Sequence, residues 1–450
     1  MRDDFRNLKV LRLSSLRFAY LNSIYKILFR KIDLVASSEH LEHIAKTDFS
    51  RIAPFLKTVT FVAPTNSWAL TLEGCREVIL AQAIQRYAND HDIWGGMNSN
   101  AHEPDGHQGF IEQHWNGKGK TPLSKDQIRA GFEQYRRQAQ AAKDLLCGEG
   151  FRATWTSVLQ ILANVHSVCF ATPKHEQSRG SQVVKYGDYI VRPPPHNSTH
   201  PDESCRRVIA PVGDALFAAG IACLAEANVR VRDLKVSCAM TGEVGWETLA
   251  GWVDLDLSQM WRFEFQPKVQ SFRDGLGTTQ GENATAAWAA TAVAAVLKKC
   301  GNELEEFSFD RSCNIHWPGD EVIGLPKLKY LSLDKGSIQP SNLRAWMATM
   351  PSLEDLRLHD TRLCADIYHG WRYIFDAVRD HPKRMKVWFD HIITHDDSTI
   401  CLNYHTNDFE RVQKQKEHWD PWKDINRSLS LYLSGKIEYN RSLREWLPDE

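Results

Sequence analysis

Net charge is nearly absent from this 450-residue chain, in which 55 Lys and Arg stand against 56 Asp and Glu. A chain without an overall field does not gather nucleic acid or an anionic membrane by charge alone, and no long basic run supplies a local substitute. No C-x-x-C pair occurs among its ten cysteines. That excludes a zinc ribbon, a thioredoxin-type motif and a small disulfide scaffold, and implies reduced, mostly buried thiols. Long apolar runs are missing too. The most apolar helical stretch, Ala284 to Leu297, is 14 residues long, against the ~20 needed to cross a bilayer. At the start, "MRDDFRNLKVLRL" scatters charges where a signal peptide has its apolar centre. The expectation is a soluble cytoplasmic or nuclear protein with neither nucleic acid nor membrane as its partner.

Signatures of chemistry are thin. "HWNGKGKT" (114–121) ends like a phosphate-binding loop, but His114 stands where that loop needs its first glycine, and Pro122 follows directly. There is no G-x-S-x-G, and no cysteine is paired with a histidine by sequence. His102, His107 and His114, with Glu103, Asp105 and Glu112, are the residue types that hold metals. Their spacing does not gather them on one helix face, and glycines surround them. A solvated insertion is the reading, with a metal-dependent enzyme as the alternative from another class. Otherwise no catalytic, cofactor or metal residue is expected.

What the chain does have is an echo. Pro326-Lys-Leu328-Lys-Tyr-Leu331-Ser-Leu333 returns 25 residues later as Pro351-Ser-Leu353-Glu-Asp-Leu356-Arg-Leu358. The last two apolar positions of each L-x-x-L-x-L fall on one face of a strand. Between the copies, Leu343, Trp346, Met347 and Met350 recur at helical spacing, behind Ser341 and Asn342 as candidate N-caps. Pro351 then marks the helix end. One unit reads strand, turn, helix, turn.

Looser copies lie upstream: Leu304/Phe307/Phe309, Val231/Leu234/Val236, Val165/Val168/Phe170 and Leu56/Val59/Phe61, with partial matches at Val269/Phe272 and Val387/Phe389. Helix-like stretches precede several of them: Val212 to Ala225, the alanine-rich run, and Trp155/Val158/Leu159/Leu162 behind Thr154 as a candidate cap. A 25-residue period of strand and helix lies in the leucine-rich-repeat window. The usual asparagine after the strand is replaced by residues such as Asp334, Ser337, His359 and Thr361, so the repeats are irregular. The fold class expected is α/β, an irregular leucine-rich-repeat solenoid over residues 36–450, with polar insertions near 91–124 and 173–207. Trp155, Trp288 and Trp346 fall on apolar stripes and should pack in the core. Trp419 and Trp422 should seal the last repeat.

Residues 7 to 34, "NLKVLRLSSLRFAYLNSIYKILFRKIDL", stand outside this pattern as short amphipathic helices running into a strand-like end. Leu11, Leu13, Leu16, Arg17, Phe18, Tyr25, Leu28, Phe29, Arg30, Ile32 and Leu34 resemble the second half of an F-box, giving a helical remnant over 1–35. With the irregular repeats and the ending "LSLYLSGKIEYNRSLREWL", the layout resembles the F-box-like leucine-rich-repeat proteins of filamentous fungi. The resemblance implies a substrate receptor of an SCF-type ubiquitin ligase, non-catalytic in itself. Leu11, Leu13, Leu16, Phe18, Tyr25, Leu28 and Phe29 would then face a Skp-type adaptor. The opening Leu-Pro helix of an F-box has no counterpart before Asn7, so either the true start lies upstream or adaptor docking has been lost. An adaptor-independent repeat scaffold is the alternative.

Between the apolar strand positions lie residues expected on the concave face. A first row would hold Asp233, Glu306, Tyr330 and Asp355, a second Lys235, Ser308, Ser332 and Arg357, and a third Ser237, Asp310, Asp334 and His359. The acids of the first row suggest a protein substrate with a basic surface.

Overall fold

The structure is a computed structural model describing residues 28–63, 125–171, 185–186, 189–190, 212–240, 245–266, 268–269, 279–309, 316–317, 322–334, 337–359, 361–363, 371–390, 404–405, 429 and 431–434. Ten strands of one sheet lie side by side in the order in which they occur along the chain. They are β1 (Lys31–Val35), β2 (Thr58–Val62), β3 (Ser167–Ala171), β4 (Asp233–Ser237), β5 (Arg262–Phe265), β6 (Glu306–Phe309), β7 (Tyr330–Asp334), β8 (Asp355–His359), β9 (Lys386–Asp390) and β10 (Tyr404–His405). The first nine pair parallel, and β10 closes the edge antiparallel to β9.

A parallel neighbour requires a crossover, and helices fill most of these connections. α1 (Ser38–Ala45) follows β1, α2 (Lys125–Leu146) and α3 (Glu149–Ile161) precede β3, and α4 (Val212–Glu226) precedes β4. α5 (Thr279–Cys300) leads to β6, α6 (Pro340–Ala348) to β8 and α7 (Trp371–Arg379) to β9. The architecture is α/β, a sequence-ordered parallel sheet compatible with a solenoid of repeated units.

The echo has a direct structural counterpart. Tyr330, Leu331, Ser332, Leu333 and Asp334 pair with Asp355, Leu356, Arg357, Leu358 and His359, each 25 positions on. A second, shorter parallel ladder repeats the offset, Ser337 with Arg362 and Ile338 with Leu363. Residues 316–317 extend that ladder on one side, and Ala239–Met240 pairs with Lys268–Val269 in a similar one.

The apolar positions of each unit form one continuous core. Leu56, Val59 and Phe61 are buried, as are Val165/Val168/Phe170, Val231/Leu234/Val236, Leu304/Phe307/Phe309, Leu328/Leu331/Leu333 and Leu353/Leu356/Leu358. Burying each such side chain contributes about 1.5–3 kcal/mol against full exposure. Val387 and Phe389, a partial match in the sequence, are the core positions of β9.

One unit escapes the leucine pattern. Met260/Phe263/Phe265 supplies β5 between β4 and β6, spelled in a thioether and two phenyl rings rather than aliphatics. The sequence points instead to Val269, which lies in the short secondary ladder; Phe272 lies outside the described residues.

Around β2 to β5 the core is aromatic. The Phe61 ring lies 5.0 Å from Phe170 and 4.8 Å from Trp155, and Phe217 links Phe170 to Trp246 at 4.7 and 4.4 Å. Gly220 of α4 allows the close approach: a Cβ there would run into the Phe170 ring and lie 3.4 Å from Phe61. Trp155, Trp288 and Trp346 are buried, as their spacing predicts. Trp419 and Trp422 lie outside the described residues.

Several boundaries differ from the sequence reading. The helix after β7 starts at Pro340 with Gln339 as its N-cap. Asn342 does not cap it; its Nδ2 donates to the Gln339 side chain at 2.6 Å. Proline suits the first helical position because its missing N–H would be unsatisfied there anyway. Thr154 lies inside α3, where its hydroxyl donates to the Gly150 carbonyl at 2.9 Å, and Gly148 holds the N-cap position. The alanine-rich helix runs from Thr279 to Cys300, longer than its most apolar stretch. Near its end Lys299 Nζ donates to the Val253 and Leu255 carbonyls, both at 2.9 Å, tying α5 to the segment before β5.

The boundary at residue 35 falls after the first strand of the sheet, because Lys31–Val35 pairs along its whole length with β2. The insertion at 91–124 lies outside the described residues; of 173–207 only residues 185–186 and 189–190 are described, as a small antiparallel ladder. No described helix is long and apolar enough to cross a membrane.

Candidate protein-binding face

In each strand the residues between the core positions point away from the buried side. They are mostly half-buried, and the parallel register aligns them in rows. The first row contains Asp233, Arg262, Glu306, Tyr330, Asp355 and Lys386 as consecutive partners on β4 to β9. The second contains Lys235, Glu264, Ser308, Ser332, Arg357 and Trp388 on the same strands. In the third, Asp334 pairs with His359, while Asp310 lies outside the described residues.

The sequence rows are therefore assembled as expected, but incompletely. β5 inserts Arg262 between Asp233 and Glu306, and β9 adds Lys386 beside Asp355. The first row is consequently mixed in charge, three acids with two cations between and beside them, rather than uniformly acidic. Of the residues assigned to an adaptor, Leu28 and Phe29 are half-buried just before β1; Leu11, Leu13, Leu16, Phe18 and Tyr25 lie outside the described residues.

Ion pairs knit the middle of this face. Lys235 Nζ contacts Glu264 at 2.5 Å, Arg262 reaches Glu264 at 3.7 Å and Glu306 at 3.4 Å, and Ser167 donates to Asp233 at 2.9 Å. Such part-exposed pairs fix side-chain positions more than they add stability, typically ~0–1 kcal/mol each.

The C-terminal end of the face is organised around one arginine. Arg357 donates from Nε and Nη2 to the two carboxylate oxygens of Asp355, at 3.1 and 3.0 Å. That fork holds its guanidinium charged, with a pKa raised above the ordinary arginine value by the Asp355 hydrogen bonds. The guanidinium carbon also lies 5.0 Å from the Tyr330 ring centre and 5.4 Å from that of Trp388. Three adjacent strands thus deliver tyrosine, arginine and tryptophan to one spot, and Trp388 stays 41% exposed. Beside it His359 Nδ1 lies 2.8 Å from Asp334 Oδ1. Thr361, which is fully buried, donates its hydroxyl to the His359 carbonyl.

Trp388 and Arg262 are the residues that sequence reasoning missed. A β9 match at Val387/Phe389 was legible, and the residue between them follows from strand alternation. Arg262 was hidden because β5 itself was.

Among the described residues no group of three His, Cys, Asp or Glu is placed to hold a metal ion. The described cysteines are free thiols, with Cys223, Cys238 and Cys300 buried. Burial pushes Cys223 up to about 11 and Cys300 up to about 12, away from the reactive thiolate. Cys169 lies in the second row between Thr60 and Lys235, its pKa also raised by burial.

No family model matches the chain, and neither does any curated protein or any solved structure.

Proposed function

We propose that this chain is a non-catalytic protein-recognition module of irregular leucine-rich-repeat type, which binds its partner through the polar face of the sheet. The observation that carries the proposal is the Tyr330–Arg357–Trp388 stack. Tyrosine, tryptophan and arginine are enriched among the residues that dominate binding energy at protein interfaces; the two aromatics bury large area at low entropic cost, whereas arginine must first be ordered. Here they are preassembled, with Asp355 locking the arginine, so little ordering remains to be done on binding. The resemblance at the N-terminus makes the specific role a substrate receptor of an SCF-type ubiquitin ligase, with Leu28 and Phe29 in the part that meets the adaptor. Ubiquitin transfer would belong to other subunits.

Two measurements test this. Calorimetric titration of the full chain with a Skp-type adaptor should give micromolar or tighter binding; absence of heat would leave a repeat scaffold without the ligase role. Separately, a photocrosslinking residue in place of Trp388 should capture a discrete protein in cells, and Arg357→Ala should abolish that product. Capture unchanged by Arg357→Ala would overturn the role of this face.

A further inference from the structure

A different surface runs along the edge where the strands begin. The residue just before each strand donates its N–H to the carbonyl of its counterpart one unit earlier, and the next residue donates to the same carbonyl. Lys57 and Thr58 bond to Arg30, His166 and Ser167 to Lys57, Arg232 and Asp233 to His166, and Trp261 and Arg262 to Arg232, at 2.8–3.3 Å. The ladder continues through Glu305, Lys329 and Glu354. These counterparts are therefore strand neighbours, about 4.8 Å apart.

Their charges differ sharply between the two parts of the edge. Glu305, Lys329 and Glu354 alternate in sign, with Lys329 bound to Glu305 at 2.8 Å and Glu354 to Lys383 at 2.9 Å. Arg30, Lys57, His166 and Arg232 do not alternate: three permanent cations and an imidazole stand in line with no acid among them.

The acids nearby are already engaged. Asp33 pairs with Lys31 at 3.1 Å, Asp256 with Arg230 at 3.0 Å, and Asp233 accepts from Ser167. The Arg232 guanidinium donates to the neutral Gln259, at 3.2 Å. Arg30, Lys57 and Arg232 are exposed, and the line ends at Trp261, whose indole is 37% exposed. Like charges at such spacing repel one another, so the arrangement costs stability unless an anion meets it.

We infer that this basic edge is a second docking site, for an extended acidic segment of a partner protein that ends in an apolar side chain. Four inter-strand steps from Arg30 to Trp261 span about 19 Å, which an extended chain of about six residues covers. Acids on alternate residues would meet the cations, and the apolar residue would cover Trp261. The stripe has one residue per strand, and the row beside it is Lys31, Thr58, Ser167 and Asp233, which ends in an acid, so it suits a single narrow chain rather than the broad polyanion of a nucleic acid. It is separate from the Tyr330–Arg357–Trp388 stack and stands or falls independently of the role given to that stack.

The test is fluorescence anisotropy of the full chain with a labelled peptide of alternating Glu and Asp ending in Leu, at low and physiological salt. Binding should weaken with salt, since the Debye length shrinks to about 8 Å at 0.15 M. The variant Arg30→Glu/Lys57→Glu/Arg232→Glu changes exposed side chains only and should keep the circular dichroism of the natural chain. It should bind the peptide about tenfold more weakly or worse, as loss of complementary charge does at interfaces. Lys327→Glu, in the paired part of the molecule, should bind as the natural chain does. Equal binding by the triple variant, or none by the natural chain, would overturn the inference. So would tighter binding of a single-stranded oligonucleotide that the same three substitutions abolish.

Discussion

The two ends of the sheet solve the same packing problem with different means. From β6 to β8 the strands begin at residues 306, 330 and 355, leucine takes over the core positions in β7 and β8 from Phe307 and Phe309 of β6, and α6 has nine residues. From β2 to β4 they begin at 58, 167 and 233, with long intervening segments, helices of 22, 13 and 15 residues, and an aromatic core. The same contrast appears on the edge, where charges alternate in the C-terminal part and accumulate in the N-terminal part. A parallel sheet needs only core positions in register; it does not constrain what crosses over, nor which charges border the strands. The regular part carries the Tyr330–Arg357–Trp388 stack and the irregular part the basic edge, so regularity of the repeat sets the spacing of the strands and leaves their surface chemistry open.

Core substitutions should break this comparison most strongly. Trp155→Ala removes the ring that joins Phe61 and Phe151, and should cost about 3–5 kcal/mol, against about 2–5 kcal/mol for Leu356→Ala in the regular part. Urea unfolding of the two variants measures both; equal midpoint shifts would show that the aromatic core confers no extra stability. Next in size is Gly220→Val, which forces α4 away from Phe170 and Phe61. Overpacking of this kind costs about 1–3 kcal/mol, and the thermal midpoint should fall accordingly. A midpoint within error of the natural chain would mean that α4 is free to shift. The smallest effect belongs to the edge. Glu305→Lys places two cations side by side, at positions 305 and 329, and should lower the thermal midpoint slightly at low salt, while Glu305→Lys/Lys329→Glu should recover part of the loss. Failure of the double variant to recover would show that alternation there is incidental.

Much of the fold was legible, for an identifiable reason. L-x-x-L-x-L needs only local periodicity to be recognised, and all six full matches became buried strand positions. β5 was not legible because Met260 stands where the matched units carry Leu or Val, although Phe263 and Phe265 occupy the same buried positions as Phe307 and Phe309 of β6. Of the candidate face, Asp355, Arg357 and Tyr330 were placed correctly in their rows, while the balancing Arg262 and Lys386 and the exposed Trp388 came from the strands that were missed or only partly matched. Helix starts shifted by one or several residues because Ser, Thr and Asn are capping candidates wherever they occur, and only the backbone decides which one caps.

By itself the sequence determined the alternation of strand and helix, the inward positions of the matched strands and the 25-residue register of β7 on β8, because burial demands a fixed period from neighbouring residues. Only the tertiary structure decided which unit lies beside which. Arg30, Lys57, His166 and Arg232 span some two hundred positions of chain, yet the hydrogen-bonded ladder sets them side by side. Charge along the chain is nearly balanced; charge along the line from Arg30 to Arg232 is not, since adjacency in a parallel sheet is set by core packing and takes no account of distance along the sequence.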